Sequence, residues 1–382
     1  MTAEQILSGL VKIPSVNPCG KPLDSNPAFG EKRVAEHIAV LLDDMDIPST
    51  LQEYDPGRFS LFAELEGKEN ARKLLFDVHL DTVGVDQMTV EPYGAKVREG
   101  RLYGRGAVDD KGPAAALMLA LRRMHEAGDI PRSTVHILFA GDEEYGTLGT
   151  RHLIAGGYRC DACIMMEPTD LEIVIAHNGA ARWSIRTLGK AVHSSRAHEG
   201  VNAITRMGKI LTFIEETLNP ELALLGHPLC GRPNVNVGVI TGGREHNTVP
   251  DSCEAVLLTR NSPVESSKGF MDAVNNRLRA FADEHGITLE ISDDYLLTDG
   301  LYTSPEEPVV RTVMETLRTH GYPGNLVGKP YGTDAFLMRG VNIPTIVFGP
   351  GSENDCHTPN ESISLAEVDR ASHVLADIMR RF

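Results

Sequence analysis

Long apolar runs are missing from the 382 residues; the longest uninterrupted one is the nine residues 113–121, well short of the ~18 that a bilayer-crossing helix needs. No transmembrane helix and no membrane partner are therefore expected. Basic runs are missing too, and 53 acidic against 37 basic side chains leave a formal net charge of -16. Gripping a phosphate backbone requires a concentrated basic face, so nucleic acid is not an expected partner either. The opening Met1-Thr2-Ala3-Glu4-Gln5 carries no positive charge ahead of an apolar block, unlike a secretory leader, and a cytoplasmic protein is expected. Cysteine is too sparse for a disulfide scaffold. Cys19, Cys160, Cys163, Cys230, Cys253 and Cys356 are scattered through a large chain, as free thiols in a reducing compartment are. Cys160-x-x-Cys163 has no second pair to complete a zinc site, and Cys163 falls in an apolar run, so the pair is assigned to packing.

What is present is a globular chain, 41% hydrophobic and long enough for about two or three domains. Thr2-x-x-Gln5 reads as a capping box that opens a helix ending before Pro14, and a second helix is expected over 31–45. Apolar runs at 74–78, 135–140, 162–166 and 173–176 read as buried strands, with an alanine-rich helix over 112–126 between the first two. That alternation predicts an α/β layered sheet with mainly parallel strands flanked by helices. Past residue 177 the texture changes, as Arg182, Ser184 and Arg186 alternate with Trp183, Ile185 and Thr187 in a half-buried strand. A helix over 202–217, strands at 234–240 and 253–258, a helix over 266–285 and a strand at 288–292 complete the order β-α-β-β-α-β, a ferredoxin-like unit. The α/β texture then returns with a helix over 308–320, a strand at 345–348 and a helix over 365–382. The expected organisation is one domain over 1–178 and 293–382 with a smaller α+β domain, 179–292, inserted in it.

Carboxylates and histidines collect where the strands end. His79-Leu80-Asp81 follows the strand at 74–78, at the end where open α/β sheets place their sites, and a ligating histidine needs its second ring nitrogen held. Alone, the tripeptide reads as an ordinary strand-end turn with solvated polar residues. Gly104-Arg-Gly-Ala-Val-Asp109-Asp110-Lys-Gly112 precedes the alanine-rich helix, and Asp109 or Asp110 could serve as its N-cap. The glycine spacing fits no nucleotide loop, and two adjacent aspartates exceed what capping needs. Asp142-Glu143-Glu144 follows the strand at 135–140. It is either an exposed acidic turn or three repelling carboxylates whose cost a cation offsets. Glu167 and His357 add two more polar groups beyond strand ends. If the sheet is parallel these positions converge, and two histidines with four or five carboxylates and no sulfur suit a two-metal hydrolytic centre rather than a closed structural zinc site.

Taken together, His79-x-Asp81, Gly104-Arg-Gly-x-x-Asp109-x-Lys-Gly112, Asp142-Glu143-Glu144, Glu167-Pro168 and the late His357 resemble the acetylornithine deacetylase, succinyl-diaminopimelate desuccinylase and carboxypeptidase family of di-zinc amide hydrolases. Ile13-Pro-Ser-Val-Asn-Pro18, Gly189-Lys-Ala-Val-His193-Ser, Gly242-Gly-x-x-x-Asn247-x-Val-Pro250 and Gly332-Thr333-Asp334-Ala fall in the family order, so the resemblance spans the chain. It implies a zinc-peptidase-like catalytic domain with an inserted lid and dimerisation domain, and two zinc ions per subunit, with cobalt or manganese as substitutes. It further implies that Asp109 bridges the two ions, that His79 and Glu167 complete one and Glu144 and His357 the other, and that Asp81 orients His79. Glu143 is then the general base, and the Asp109–Asp110 bond is expected to be cis. His193 resembles the lid histidine that reaches a partner subunit's site to stabilise an oxyanion, which implies a homodimer. Asn247, Arg260 and Thr333 resemble contacts to the substrate carboxylate or the oxyanion. Without the resemblance, His193 reads as part of a polar turn and Arg260 as a surface ion-pair residue.

The implied substrate is an N-acyl amino acid or short peptide. The Gly-Pro-Gly loop and His357-x-Pro359-x-Glu361 look most like acetylornithine deacetylases, whereas Thr333-Asp334-Ala335 is shared with carboxypeptidase-like relatives. Gly332-Thr333-Asp334 lacks the serine usual in desuccinylases, which disfavours succinyl-diaminopimelate. A non-catalytic metal-binding scaffold would be favoured by loss of Glu143 or a ligand, and none is lost.

Overall fold

In the computed structural model residues 1–382 are described, the side chain of Asn70 excepted. The chain separates into two compact units. The first comprises Met1–Ile175, Thr303–Val327 and Thr333–Phe382, and the second comprises Ala176–Tyr302 and Gly328–Gly332.

At the centre of the first unit, strands Ser133–Ala140, Glu69–His79, Ala162–Met165 and Thr345–Val347 lie side by side in that order, all parallel. Ser133–Ala140 is buried along its whole length. Burial on both faces is what parallel strands covered by helices require, and it explains why these strands read as apolar runs. One margin is antiparallel. Arg58–Leu65 pairs with Ser133–Ala140, and Ser49–Asp55 pairs with Arg58–Leu65. This hairpin escapes the sequence reading because Ser49–Asp55 is nowhere fully buried and so lacks an apolar run. On the other margin Ile173–His177 meets Thr345–Val347 in antiparallel sense, at Val174 opposite Val347. The sheet is thus mainly parallel at its core and mixed at its edges.

The alanine-rich helix runs Lys111–Ala127 and ends at Gly128, whose φ of 67° supplies the left-handed cap. It packs on the closing helix Leu365–Arg381 and on Ala3–Val11, the helix opened by the expected Thr2/Gln5 capping box. Ahead of it, a small antiparallel sheet joins Lys96–Arg98, Arg101–Tyr103 and Ser362–Ser364. Strands of three residues are too short to leave a periodicity.

The second unit is an antiparallel sheet in the order Asn234–Gly242, Ser252–Asn261, Gly179–Leu188, Thr288–Thr298, the ferredoxin-like arrangement. Helices Ala203–Phe213 and Ser267–Glu284 close its core around Trp183, Ile185, Met207, Leu257 and Leu278. Two boundaries differ most from expectation. The helix expected over 202–217 is α-helical to Phe213 and then π-helical over Ile214–Leu218. The strand expected to stop at 292 continues to Thr298. Its register shifts between Ile291 and Tyr295, where the acidic Asp293-Asp294 interrupts the apolar alternation.

Candidate metal centre

His79 is the last residue of its strand, Asp142–Glu144 lies just beyond Ser133–Ala140, Glu167 just beyond Ala162–Met165, and His357 in the loop after Thr345–Val347. Because these four strands are parallel neighbours, their carboxyl ends deliver all of these groups to one rim. Close passage of the chain helps. A Cβ on Gly349 would sit 2.5 Å from the Glu167 carbonyl oxygen, so only glycine lets the two loops meet there. Asp109 arrives by another route, in the turn between Arg101–Tyr103 and helix Lys111–Ala127, rather than after a central strand. The Asp109–Asp110 peptide bond is cis. Asp110 occupies the N-cap position, yet its side chain makes no capping bond; its Oδ2 accepts the His79 N–H at 3.3 Å instead.

Asp109 turns one oxygen to each histidine. Its Oδ1 lies 2.8 Å from His79 Nε2, and its Oδ2 lies 3.1 Å from His357 Nε2, which is also 3.2 Å from Glu144 Oε1. One ligand atom each from His79, Asp109 and Glu167 fall within 4.8 Å of one another, as do those from Asp109, Glu144 and His357. Cys356, beside His357, is tied to the Ser352 carbonyl oxygen at 3.7 Å.

The electrostatics ask for positive charge. Burial pushes Glu167 well above the usual carboxylate range and Glu143 up to about 8, and it raises Glu144; neighbouring carboxylates add to each shift. Burial acts the same way on Asp109, but the His357 and His79 hydrogen bonds win and hold it below its usual range. In turn the bonds to Asp109 and Glu144 push His357 up to about 10. The histidines are thus drawn toward their charged form to neutralise carboxylates, a task that a divalent cation performs when it displaces those protons. Each trio offers one imidazole nitrogen and two carboxylates, with Asp109 common to both. That donor set fits a pair of borderline or hard divalent ions and leaves open positions.

The supporting contacts amend one expectation. His79 Nδ1 is held at 2.9 Å by the main-chain carbonyl oxygen of Asp81, whereas the Asp81 carboxylate stands 3.7 Å away. That carboxylate accepts the backbone N–H of Glu143 at 3.0 Å and of Glu144 at 3.1 Å. Two residues apart on an extended chain, Asp81 turns its carbonyl and its side chain to different partners. Glu361, fully buried, accepts the N–H groups of Val108 at 3.0 Å and Asp109 at 3.3 Å with one oxygen and pairs with Arg105 through the other. Asn17, Glu31, Arg58 and Asp142 complete the underlying network; the sequence reading took Asp142 only as one of three repelling carboxylates and gave the other three no site role. Asn17 and Glu361 stood inside quoted motifs, while Glu31 and Arg58 left no local signal.

Thr333, in the first unit, is buried, and its Oγ1 accepts the Ala335 N–H at 3.3 Å. The other three expected site residues belong to the second unit. His193 and Asn247 are neighbours there, since Ser194 N–H donates to the Asn247 carbonyl oxygen at 2.8 Å. Ser195 turns both its Oγ and its N–H to His193 Nδ1, at 2.8 and 3.2 Å. Arg260, on strand Ser252–Asn261, is half-buried, and burial lowers its pKa.

A mainly parallel sheet whose strand ends carry paired carboxylate and histidine trios defines a metallohydrolase. The sequence matches Peptidase family M20/M25/M40 over residues 75–381, and the chain belongs to that family, an enzyme of the metallopeptidase and amidohydrolase type. Among curated relatives, it is 29% identical over 99% of its length to the acetylornithine deacetylase of Vibrio vulnificus, covering 97% of that protein. Among solved structures, it resembles aminopeptidase PepT from Bacillus cereus with a TM-score of 0.81 at 20% identity, covering 99% of this chain and 98% of that one. A dinuclear metal-binding M20 peptidase from Bacillus subtilis matches with a TM-score of 0.70 at 17% identity, covering 100% and 98% of the two chains.

Proposed function

We propose that this enzyme hydrolyses the amide bond of an N-acylated amino acid, with N-acetylornithine to ornithine and acetate as the leading case, in amino-acid and specifically arginine biosynthesis. The observation that carries the reading is Asp109 facing His79 with one oxygen and His357 with the other, Glu167 and Glu144 completing the two trios. Two zinc ions would be held there, His79, Asp109 and Glu167 binding one and Asp109, Glu144 and His357 the other. When bound, such a pair acidifies water and polarises a carbonyl. Glu143 takes the proton of the attacking water and returns it to the departing amine, which leaves as the free amino acid. Asp81 fixes the Glu143 main chain by accepting its N–H. His193 donates a ring N–H to the oxyanion of a partner subunit's site. Asn247, Arg260 and Thr333 are assigned to contacts with the substrate carboxylate or the oxyanion. The second unit then serves as lid and dimerisation domain of a cytoplasmic homodimer. Six free cysteines agree with a reducing compartment.

The acetyl substrate draws its support from the curated relatives, which match nearly end to end. The aminopeptidase likeness favours a dipeptidase or carboxypeptidase as the second reading. The deciding experiment measures free-amine release by zinc-loaded protein on N-acetylornithine, other N-acetyl amino acids, succinyl-diaminopimelate and several dipeptides. Preference for one N-acetyl amino acid is expected. Cleavage of dipeptides alone moves the enzyme to the peptidase reading, and no turnover of any of them sinks the deacylase reading.

A further inference from the structure

Segment Ser15–Asn17 is laid against the chain that follows His79. Ser15 Oγ donates to the Leu80 carbonyl oxygen at 2.7 Å, Thr82 N–H to the Ser15 carbonyl at 3.1 Å, and Asn17 N–H to the Thr82 carbonyl at 2.8 Å. This places the Asn17 side chain, on a residue only 3% exposed, between two carboxylates. Its Oδ1 accepts the Cys19 N–H at 2.8 Å, which fixes which end of the carboxamide is nitrogen. Nδ2 then spends its two hydrogens on Asp81 Oδ2 at 2.7 Å and on Asp142 Oδ1 at 3.0 Å. The same Asp142 oxygen accepts from Arg58 Nη2 at 3.1 Å, and Arg58 is anchored by its fork on the buried Glu31, with Nε 2.8 Å from Oε2. On the near side, the Asp81 carboxylate accepts the amides of Glu143 and Glu144. Gly146 closes the loop over Asp142, where a Cβ would stand 2.5 Å from Asp142 Oδ2.

We infer that Asn17 is a positioning residue, whose carboxamide, clamped between Asp81 and Asp142, sets the placement of the Glu143–Glu144 loop. Asp81 and Asp142 are two carboxylates held close together inside the protein, and without a donor between them they repel. The Arg58–Glu31 fork holds Asp142 from behind, and the Asp81 carboxylate grips the loop from in front. Among the described residues Asn17 is the side chain that hydrogen-bonds to both. Loss of it frees Asp81 to swing and carries the base with it, and a misplacement of about 1 Å at a reacting group costs on the order of 10²-fold in rate. The role rests on the proposed amide hydrolysis for its kinetic consequence, but not for its structural one.

The test uses the zinc-loaded 382-residue protein and the variants Asn17→Ala and Asn17→Asp. The second is isosteric, keeps the acceptor for Cys19 N–H and puts a third carboxylate in place of the donor. Amide hydrogen exchange is read over residues 141–147 and over the rest of the central sheet, beside metal content, Tm, kcat and KM on N-acetylornithine. Expected is faster exchange confined to 141–147, by roughly tenfold for a local opening, with metal content held. With it kcat should fall roughly 10- to 100-fold while KM stays within about twofold, and Asn17→Asp should be the more impaired. Unchanged exchange at 141–147 in either variant overturns the inference. So does a uniform rise in exchange with lowered Tm and unaltered kcat per folded molecule, which is the signature of a merely structural residue. If the unsubstituted protein turns over no N-acyl substrate, the functional reading fails by itself and the exchange pattern alone decides the role of Asn17.

Discussion

Glu143 and Asp109 sit within one cluster of carboxylates but make different demands on it. Glu143 belongs to neither trio of ligand atoms, so Glu143→Ala is expected to keep its metal while turnover collapses. Residual hydrolysis above about 1% of the unsubstituted rate would remove it as principal base, since general acid-base catalysis contributes ~10² to 10⁴. Asp109 belongs to both trios, so Asp109→Ala is expected to lose both ions. Metal analysis after gel filtration checks this, and retention of one full equivalent would show that the trios are independent. At this scale His79, Glu144, Glu167 and His357 were legible because they stand at the end of a central strand or in the loop beyond it, whereas Asp109 was legible only inside its glycine-flanked motif. The residues that hold them were not. Asp81 works through its carbonyl on one side and its carboxylate on the other, a division that depends on where the backbone of Glu143 and Glu144 passes. Asn17 and Arg58 act across separations of 64 and 84 residues, which no local pattern encodes.

Elements show the same divide between what burial writes into a sequence and what only pairing reveals. Strands covered on both faces announce themselves as apolar runs, hence the legibility of those at the sheet's centre. Ser49–Asp55, only half-covered, and the three-residue strands leading to Asp109 do not. Yet those short strands lead into the turn that holds Asp109, and Glu361 secures that turn by accepting two of its amides while it pairs with Arg105. Glu361→Ala leaves a buried guanidinium and two N–H groups without their acceptor. Breaking a buried pair in this way costs about 3–5 kcal/mol, so the midpoint of urea unfolding should fall, with metal affinity weakened in parallel. A midpoint unchanged in the metal-free protein would mean that Arg105 and the turn find other acceptors.

For the whole molecule, the carboxylate centre is part of a formal charge of -16, and in the metal-free protein its like charges, offset only by two histidines, repel one another at the rim of the main sheet. Chelation is expected to lower Tm, and zinc to restore it, with a dependence on free metal that follows mass action, about 2.7 kcal/mol at a hundredfold excess over Kd. Tm indifferent to chelator would place the ions outside the folding equilibrium. The proposed homodimer offers a sharper test, because the proposed roles of Glu143 and His193 fall on different subunits of one site. Glu143→Ala and His193→Ala are each expected to be nearly inactive as homodimers. Mixed, unfolded and refolded together, they form heterodimers in which one site combines the intact Glu143 of one subunit with the intact His193 of the other. Random pairing in a twofold dimer then returns about a quarter of the unsubstituted activity. If His193 instead serves the site of its own chain, every mixed site lacks one of the two residues and mixing restores nothing. Activity of His193→Ala alone equal to that of the unsubstituted enzyme would remove the oxyanion role altogether, and with it the need for the partner subunit in the chemistry.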